Sequence, residues 1–337
     1  MNPSPRILGI ETSCDDTASA VVEGATLRSS VVSSQDLHAA YGGVVPELAS
    51  RDHQRLIVPV VQQALQEAGL ERDALDAVAA TYGPGLAGSL LVGLSFAKAL
   101  ALGLGVPFIG VNHLEGHIYS AHIAPPRPPF PYLCLVVSGG HTQLIRVEDG
   151  FAHTVMGRTR DDAAGEAFDK IARLLRLGYP GGPAIDQAAT DGDPAFRAFP
   201  RASLEGYDFS FSGLKTSVLY YLQDHEDDAR EALLADHTAD LAAAVQQAIV
   251  DPLIDALRRA IAETGIRDVA IVGGVSANRQ LRAEARALCA AADARLYIPD
   301  PAYCTDNAAM IAVTAFHKWQ AGLTSPLSLT AEPALTL

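Results

Sequence analysis

His113 and His117 stand four residues apart. On a helix, both imidazoles then leave one face with their Cβ atoms about 6 Å apart, close enough to share one metal ion. Leu114, Glu115 and Gly116 lie between them, and the run superficially looks like the helix of zinc peptidases, in which a glutamate directly follows the first histidine. Here Glu115 is two residues from each histidine, about 200° around the helix, so it points away from the metal face. Geometry therefore disfavours a peptidase with Glu115 as general base. A third, oxygen ligand has to come from elsewhere. Asp306, in Cys304-Thr305-Asp306-Asn307, reads by default as a helix N-cap, but imidazole and carboxylate together suit iron or zinc.

Glycine-rich turns form a second group. Gly83, Gly85 and Gly88 spell GxGxxG, yet no Asp or Glu occurs between Ala77 and Leu114, so the acidic residue that a dinucleotide fold needs for its ribose is missing. Close strand-to-helix packing explains those glycines better. Ser138, Gly139, Gly140 and His141 occupy the tip of a hairpin where amides and a hydroxyl can ring a phosphate. Gly181 and Gly182 precede one helix, and Gly273 and Gly274 precede another over Ser276–Ala292. No Walker lysine follows any of them, which points to a nucleotide cleft that is not of the P-loop kind. Glu11, Asp15 and Asp16 flank a first turn. Asp161, Asp162, Glu166 and Asp169 surround a helix start, where capping accounts for Asp161 or Asp162.

The elements that must hold these groups alternate between short β-branched runs and helical patterns, an α/β signature. Ile7–Ile10, Ala18–Val22, Leu27–Val32, Ala77–Thr81 and Pro107–Val111 read as strands of one lobe. Tyr132–Val137, Gln143–Val147, Val269–Val272 and Arg295–Ile298 read as strands of another. Ile57, Val60, Val61, Ala64, Leu65 and Ala68 line one helix face, with a start or kink expected at Pro59. Leu241, Val245, Ala248, Ile249 and Pro252 line a second. Five prolines within Ala124–Pro131 cannot continue a helix, so the lobes are drawn at 1–124 and 125–337, the latter with a helical insertion around 163–265. ILGIETSCDDTASAVVE and LCLVVSGGHTQLIRVE both read as strand, polar turn, strand, which suggests that the two lobes open with the same hairpin.

Bulk properties narrow the function. At 337 residues and 49% hydrophobic content the chain suits two folded lobes rather than disorder. Four scattered cysteines without a CxxC pair, and an N-terminus without an apolar signal core, point to a reducing cytoplasmic setting. Gly88–Val106 carries only Lys98 as a charge, but its glycines suit a buried helix better than a membrane span. A net charge of −14 excludes a protein that grips nucleic acid over its whole surface.

Taken together, GIETSCDDT, GGVVPELASRDH, NHLEGH, LVVSGGHTQL, DDAAGEAFDK, YPGGP, DFSFSGLKT, GGVSANRQLR and CTDNAAMIA resemble, in order and over nearly the whole chain, the bacterial tRNA threonylcarbamoyladenosine transferase family, TsaD. The resemblance implies a two-lobed, duplicated α/β fold of the actin, Hsp70 and sugar-kinase superfamily with a nucleotide cleft between the lobes. It implies His113, His117 and Asp306 as ligands of one divalent metal, iron(II) or alternatively zinc(II). It implies Val136, Val137, Ser138, Gly139, Gly140, Asp169, Gly182, Asp186 and Asn278 as the seat of threonylcarbamoyl-AMP. The expected reaction moves the threonylcarbamoyl group to N6 of the adenosine 3′ of the anticodon and releases AMP. Asp15 is the candidate to orient the attacking amine, with His141 assisting and Glu11 as an alternative.

Asp16 departs from the family, which commonly has Glu there: the charge survives and the reach shortens by one methylene. Implied partners are tRNA, an inactive TsaB-type paralogue forming a heterodimer, a small TsaE-type ATPase and a synthase that supplies the adenylate. Arg51, Arg55, Arg158, Arg160, Arg201 and Lys215 are the expected RNA contacts on this chain. The main alternative is an ATP-hydrolysing or sugar-kinase-like member of the same superfamily. An inactive scaffold should lack the metal trio.

Overall fold

The structure, a computed structural model, describes residues 2–337 apart from 36–37, 39–42 and 203. Gly42, the first residue of the GGVVPELASRDH segment, lies outside the described residues. The chain divides into two compact units, Met1–Arg127 with Pro299–Leu337, and Pro128–Ile298.

In the first unit, Arg6–Glu11 (β1), Asp16–Glu23 (β2), Thr26–Ser34 (β3), Ala77–Gly83 (β4) and Phe108–Asn112 (β5) form one sheet in the order β3-β2-β1-β4-β5. β1 pairs antiparallel with β2, in register Ile7 with Val22 and Glu11 with Ala18, and parallel with β4. In the second unit, Tyr132–Val137 (β6), Thr142–Glu148 (β7), Ala152–Arg158 (β8), Asp268–Val272 (β9) and Arg295–Tyr297 (β10) form a sheet in the order β8-β7-β6-β9-β10. β6 is antiparallel to β7 and parallel to β9. The two sheets thus share strand order and direction, and the two similar hairpins of the sequence are topologically equivalent. β1, β6 and β9 are apolar and buried along almost their whole length, as expected of sheet centres covered on both faces.

Pro46–Ala68 (α1) starts with a proline in its first turn and ends at Gly69, whose φ of 65° only glycine adopts freely. Pro59 sits inside this helix and does not start it, because the apolar face already runs from Ala49 through His53 to Ile57. Ala87–Leu104 (α2) is by length and composition apolar enough to cross a membrane. It buries Leu90, Leu94, Ala97 and Ala101 in the first unit and leaves Leu91 and Leu102 exposed. His113–Ser120 (α3) follows β5 directly.

Between β8 and β9 run Ala164–Leu174 (α4), Gly181–Ala188 (α5), Ser212–Gln223 (α6) and Asp227–Thr264 (α7), whose apolar faces share one core with the sheet. α7 breaks its helical backbone at His237 and not at Pro252. The helix expected from Ser276 begins later, as Arg279–Ala291 (α8), because Gly274–Ala277 forms a 3-10 turn and Asn278 is the cap.

The segment 299–337, drawn with the second lobe from sequence, belongs to the first unit. Ala308–Gln320 (α9) packs on β1, β2 and α3. Gly9 makes this possible: a Cβ there would stand 2.7 Å from the backbone nitrogen of Ala312.

Candidate functional site

Asn112 sets the start of α3. Its Oδ1 accepts from Leu114 N (2.8 Å), and Glu115 Oε2 accepts from Asn112 N (3.3 Å), a reciprocal capping box. Glu115 also pairs with Lys318 (2.8 Å), so it serves the helix end and α9, turned from the histidines as its spacing requires. His113 and His117 then lie one turn apart with ring centroids at 4.7 Å.

Asp306 completes the group. It is not the cap of α9; Asn307 is, accepting from Met310 N at 2.9 Å, which leaves the Asp306 carboxylate to face the rings. Its Oδ1 lies 3.4 Å from His113 Nε2 and 3.3 Å from His117 Nε2. One ligand atom from each residue falls within 4.8 Å of the others. Ligands about 2.1 Å from a tetrahedral ion stand roughly 3.4 Å apart, so the separations fit. His117 is 1% exposed, and neither of its ring nitrogens makes an aligned hydrogen bond among the described residues, Nε2 having only the Asp306 carboxylate oxygen at 3.3 Å. A buried imidazole is costly in that state unless a ligand satisfies it, so the residues present fit a metal ion.

Gly116, between the histidines, lets α9 approach: a Cβ there would meet Ile311 Cδ1 at 2.9 Å. Burial opposes charge on His113, but the carboxylates of Asp306 and Glu11 outweigh it and hold the imidazole well above its ordinary pKa. Burial likewise opposes charge on Asp306, and the His113 imidazolium outweighs it, holding that carboxyl well below the usual range.

Glu11 does not face solvent. It is fully buried, and its carboxylate takes Ser13 N (2.5 Å), Thr81 Oγ1 (2.7 Å) and His113 Nδ1 (3.1 Å). This carboxylate–imidazole contact fixes which nitrogen of His113 is left for a metal. The signal for it was in the sequence only as a buried-strand glutamate; the pairing depends on β1 lying beside β4 and on α3 starting at His113.

The rest of the first turn is held from behind by His53, which contacts Thr17 Oγ1 (2.8 Å) through Nδ1 and the Cys14 carbonyl (2.9 Å) through Nε2. Asp15 is half-buried at the turn. Burial and then the Asp15 carboxylate push the Cys14 thiol far up, so it stays protonated. Asp16, at the head of β2, has its carboxyl raised to about 6 by burial.

In the second unit the expected ligand residues form a closed ring of contacts. Ser138 and His141 close the β6–β7 turn, Ser138 N donating to His141 O (2.8 Å) and His141 N to Ser138 Oγ (3.1 Å). The turn meets α4 where Gly165 N donates to Ser138 O (3.2 Å). Asp169 on α4 accepts from Gly181 N (2.7 Å) and so anchors α5. Asp186 on α5 accepts from Arg279 N (3.2 Å) and Nε (2.7 Å), anchoring α8. Asn278 caps α8 by accepting from Leu281 N (2.9 Å) and donates to Gln246 Oε1 (2.7 Å). Gly273 closes the ring, with φ 90° and a would-be Cβ 2.4 Å from the Val137 carbonyl.

Val136 and Val137 are fully buried strand residues, so only their backbone is available. Gly165 and Gly181 are likewise required by backbone contacts, whereas Gly139, Gly140, Gly182 and Gly274 face open space and are the glycines the fold itself does not demand. Asp161 proves to cap α6 rather than α4, accepting from Phe211 N (2.8 Å) and Ser212 N (3.2 Å). Thr142 Oγ1 instead takes Ala164 N (2.9 Å) at the head of α4.

The family model for TsaD, tRNA N6-adenosine threonylcarbamoyltransferase, matches residues 26–313. The chain belongs to that transferase family. It is 63% identical over 332 residues to the tRNA N6-adenosine threonylcarbamoyltransferase of Salinibacter ruber, covering 98% of this chain and 99% of the relative. It is 54% identical to that of Symbiobacterium thermophilum over 335 residues, 98% of this chain and 96% of the relative. Among solved structures it is similar to full-length HypF (TM-score 0.62, 11% identity, 95% of this chain and 47% of that one). It is also similar to the activator of the 2-hydroxyisocaproyl-CoA dehydratase from Clostridium difficile (TM-score 0.52, 12% identity, 94% and 96%). These likenesses carry the fold, which is the duplicated α/β fold expected of a threonylcarbamoyltransferase.

Proposed function

We propose that the protein transfers a threonylcarbamoyl group from threonylcarbamoyl-AMP to N6 of the adenosine 3′ of the anticodon in tRNA. The observation that supports this most is the convergence of His113, His117 and Asp306 within a family member, since an inactive paralogue has no use for three metal ligands. In the reaction the adenine amine attacks the carbamoyl carbonyl carbon, a C–N bond forms as the amine gives up one N–H proton to water, and the C–O bond to phosphate breaks with its electron pair leaving on AMP.

The adenine amine is a weak nucleophile, so positioning matters more than a strong base. Asp15 is assigned to orient it and His141 to assist. Glu11 is assigned to hold His113 and not the amine. A metal ion on the trio, iron(II) by preference and zinc(II) as the alternative, would supply charge stabilisation for the leaving phosphate. In the second unit, the open glycines 139, 140 and 182 leave room for the nucleotide, while Asp169, Asp186 and Asn278 keep α4, α5 and α8 in register around it.

Of the six basic residues expected to meet tRNA, Arg55, Arg160 and Arg201 are each paired with an aspartate (Asp52, Asp208 and Asp251). A carboxylate beside each of the three offsets their positive charge locally. Partner surface therefore supplies much of the RNA contact, and the TsaB-type paralogue, the TsaE-type ATPase and the adenylate synthase are the partners assigned, in the cytoplasm. The test combines purified protein, preformed threonylcarbamoyl-AMP, the partners and unmodified tRNA, with nucleosides analysed by mass spectrometry. Threonylcarbamoyladenosine is the expected product. Its absence, or steady ATP turnover without tRNA in its place, overturns the proposal in favour of a kinase-like member of the superfamily.

A further inference from the structure

After α9 the chain runs back along β5 and β4. Ser325 N donates to Phe108 O (2.8 Å), and Ser325 Oγ accepts from Gly110 N (2.9 Å). The Leu329 carbonyl accepts from Lys98 Nζ (3.0 Å), and its side chain packs against the first unit's core. Glu332 N donates to Tyr82 O (2.8 Å). The sequence leaves space for this segment at two glycines: a Cβ on Gly110 would stand 2.4 Å from Leu329 Cδ2, and one on Gly83 would stand 2.1 Å from the Glu332 carbonyl oxygen.

Two links then lead from the segment to His113. Asn112 uses its Oδ1 to cap α3, and its Nδ2 donates to Thr336 O (3.2 Å); the next residue is His113. Separately, Gly85 N donates to Pro333 O (3.2 Å). Gly85 backs directly onto Ser13, with a would-be Cβ 2.5 Å from Ser13 O. Leu86 N donates to that same oxygen (2.8 Å), and Ser13 Oγ lies 3.1 Å from His113 Nδ1. One link thus fixes where the helix of His113 begins. The other fixes a hydroxyl that touches its ring.

We infer that Ser325–Thr336 is a positioning element of the metal centre, holding His113 from two sides although none of its residues is a ligand. The inference rests on the metal reading of the trio. Contacts that orient a ligating histidine typically change metal affinity ten- to a hundredfold when removed.

The test titrates cobalt(II) into metal-free full-length protein, reading affinity by calorimetry and ligand geometry by visible absorption, with circular dichroism to confirm folding. Two variants are compared with it: a chain lacking residues 332–337, and Asn112→Ser, which keeps a capping oxygen for α3 but removes the donor to Thr336. The truncated chain is expected to bind cobalt about ten- to a hundredfold more weakly with an altered absorption band, and Asn112→Ser to shift in the same direction while its circular dichroism is unchanged. Wild-type affinity and spectrum in a folded Asn112→Ser chain would overturn the inference, whether or not the truncated chain folds. If the full-length protein itself binds no cobalt, the metal reading fails and the inference falls with it.

Discussion

Two carboxylates divide the work at the proposed metal site. Asp306 faces Nε2 of both histidines, while Glu11 holds Nδ1 of His113 from behind and is itself held by Thr81 and Ser13. Glu11→Gln keeps the size of the side chain and removes the charge that favours Nδ1–H. We expect it to weaken metal binding by about ten- to a hundredfold, measured by competition with a chelator. Unchanged affinity would mean that the contact is incidental. His117→Ala removes one of the three proposed ligands outright, and its bound metal should fall below detection after dialysis, while its fold persists. In the second unit, Asp169, Asp186 and Asn278 act through hydrogen bonds to helix starts, so conservative changes there should raise KM for the adenylate more than they lower kcat. Equal loss in both constants for Asp186→Asn would place that carboxylate in contact with the reacting groups.

At the scale of elements, the decisive contact is α9 on β1, because it brings Asp306 to the histidines of α3. Gly9→Ala would put a Cβ against the backbone of Ala312 and Ala308, where neither can give way. A loss of about 1 to 3 kcal/mol in urea unfolding is expected, together with weaker metal binding; a neutral change would show that α9 can shift without cost.

The strands of both sheets were legible as short runs of Ile, Val and Ala. β8 was not, since AHTVMGR has neither strict alternation nor a continuous apolar run. α9 was marked only by a cap at its start: AAMIAVTAF is apolar on every side, so no periodicity shows how far the helix runs or which unit it joins. Asp306 and Asn307 are adjacent and both good caps, and only the fold decides that Asn307 takes the cap and Asp306 is left to face the two histidines. The histidine pair and the orientation of Glu115 needed only helical spacing. The role of Glu11 needed two strands and a helix brought together, which no local pattern records.

For the molecule as a whole, the same strand order in both units makes the duplication a property of topology, where the sequence offered two similar hairpins. Stability should depend on pH through a buried histidine just beyond α3. Burial, with His317 and Arg127 nearby, lowers the pKa of His122 to about 3, whereas in the unfolded chain it takes up a proton near 6.5. Protonation therefore favours unfolding, and stability is lost as pH falls from about 6.5 toward 3. Asp16 works the other way, because its carboxyl, raised to about 6, takes up a proton in the folded protein first. His122→Gln should flatten the decline between pH 6.5 and 4 by up to a few kcal/mol; an unchanged slope would assign it to other groups.

The dependence of transfer on the metal trio is tested most directly by measuring product against metal occupancy in one preparation. Metal-free protein would be reconstituted with increasing iron(II), then supplied with threonylcarbamoyl-AMP, partners and unmodified tRNA, with bound metal and threonylcarbamoyladenosine both quantified. Product should rise in proportion to occupied sites and stay near background in the His117→Ala protein at every metal concentration. Full product formation by metal-free protein or by His117→Ala would contradict a role in transfer for a metal held by His113, His117 and Asp306.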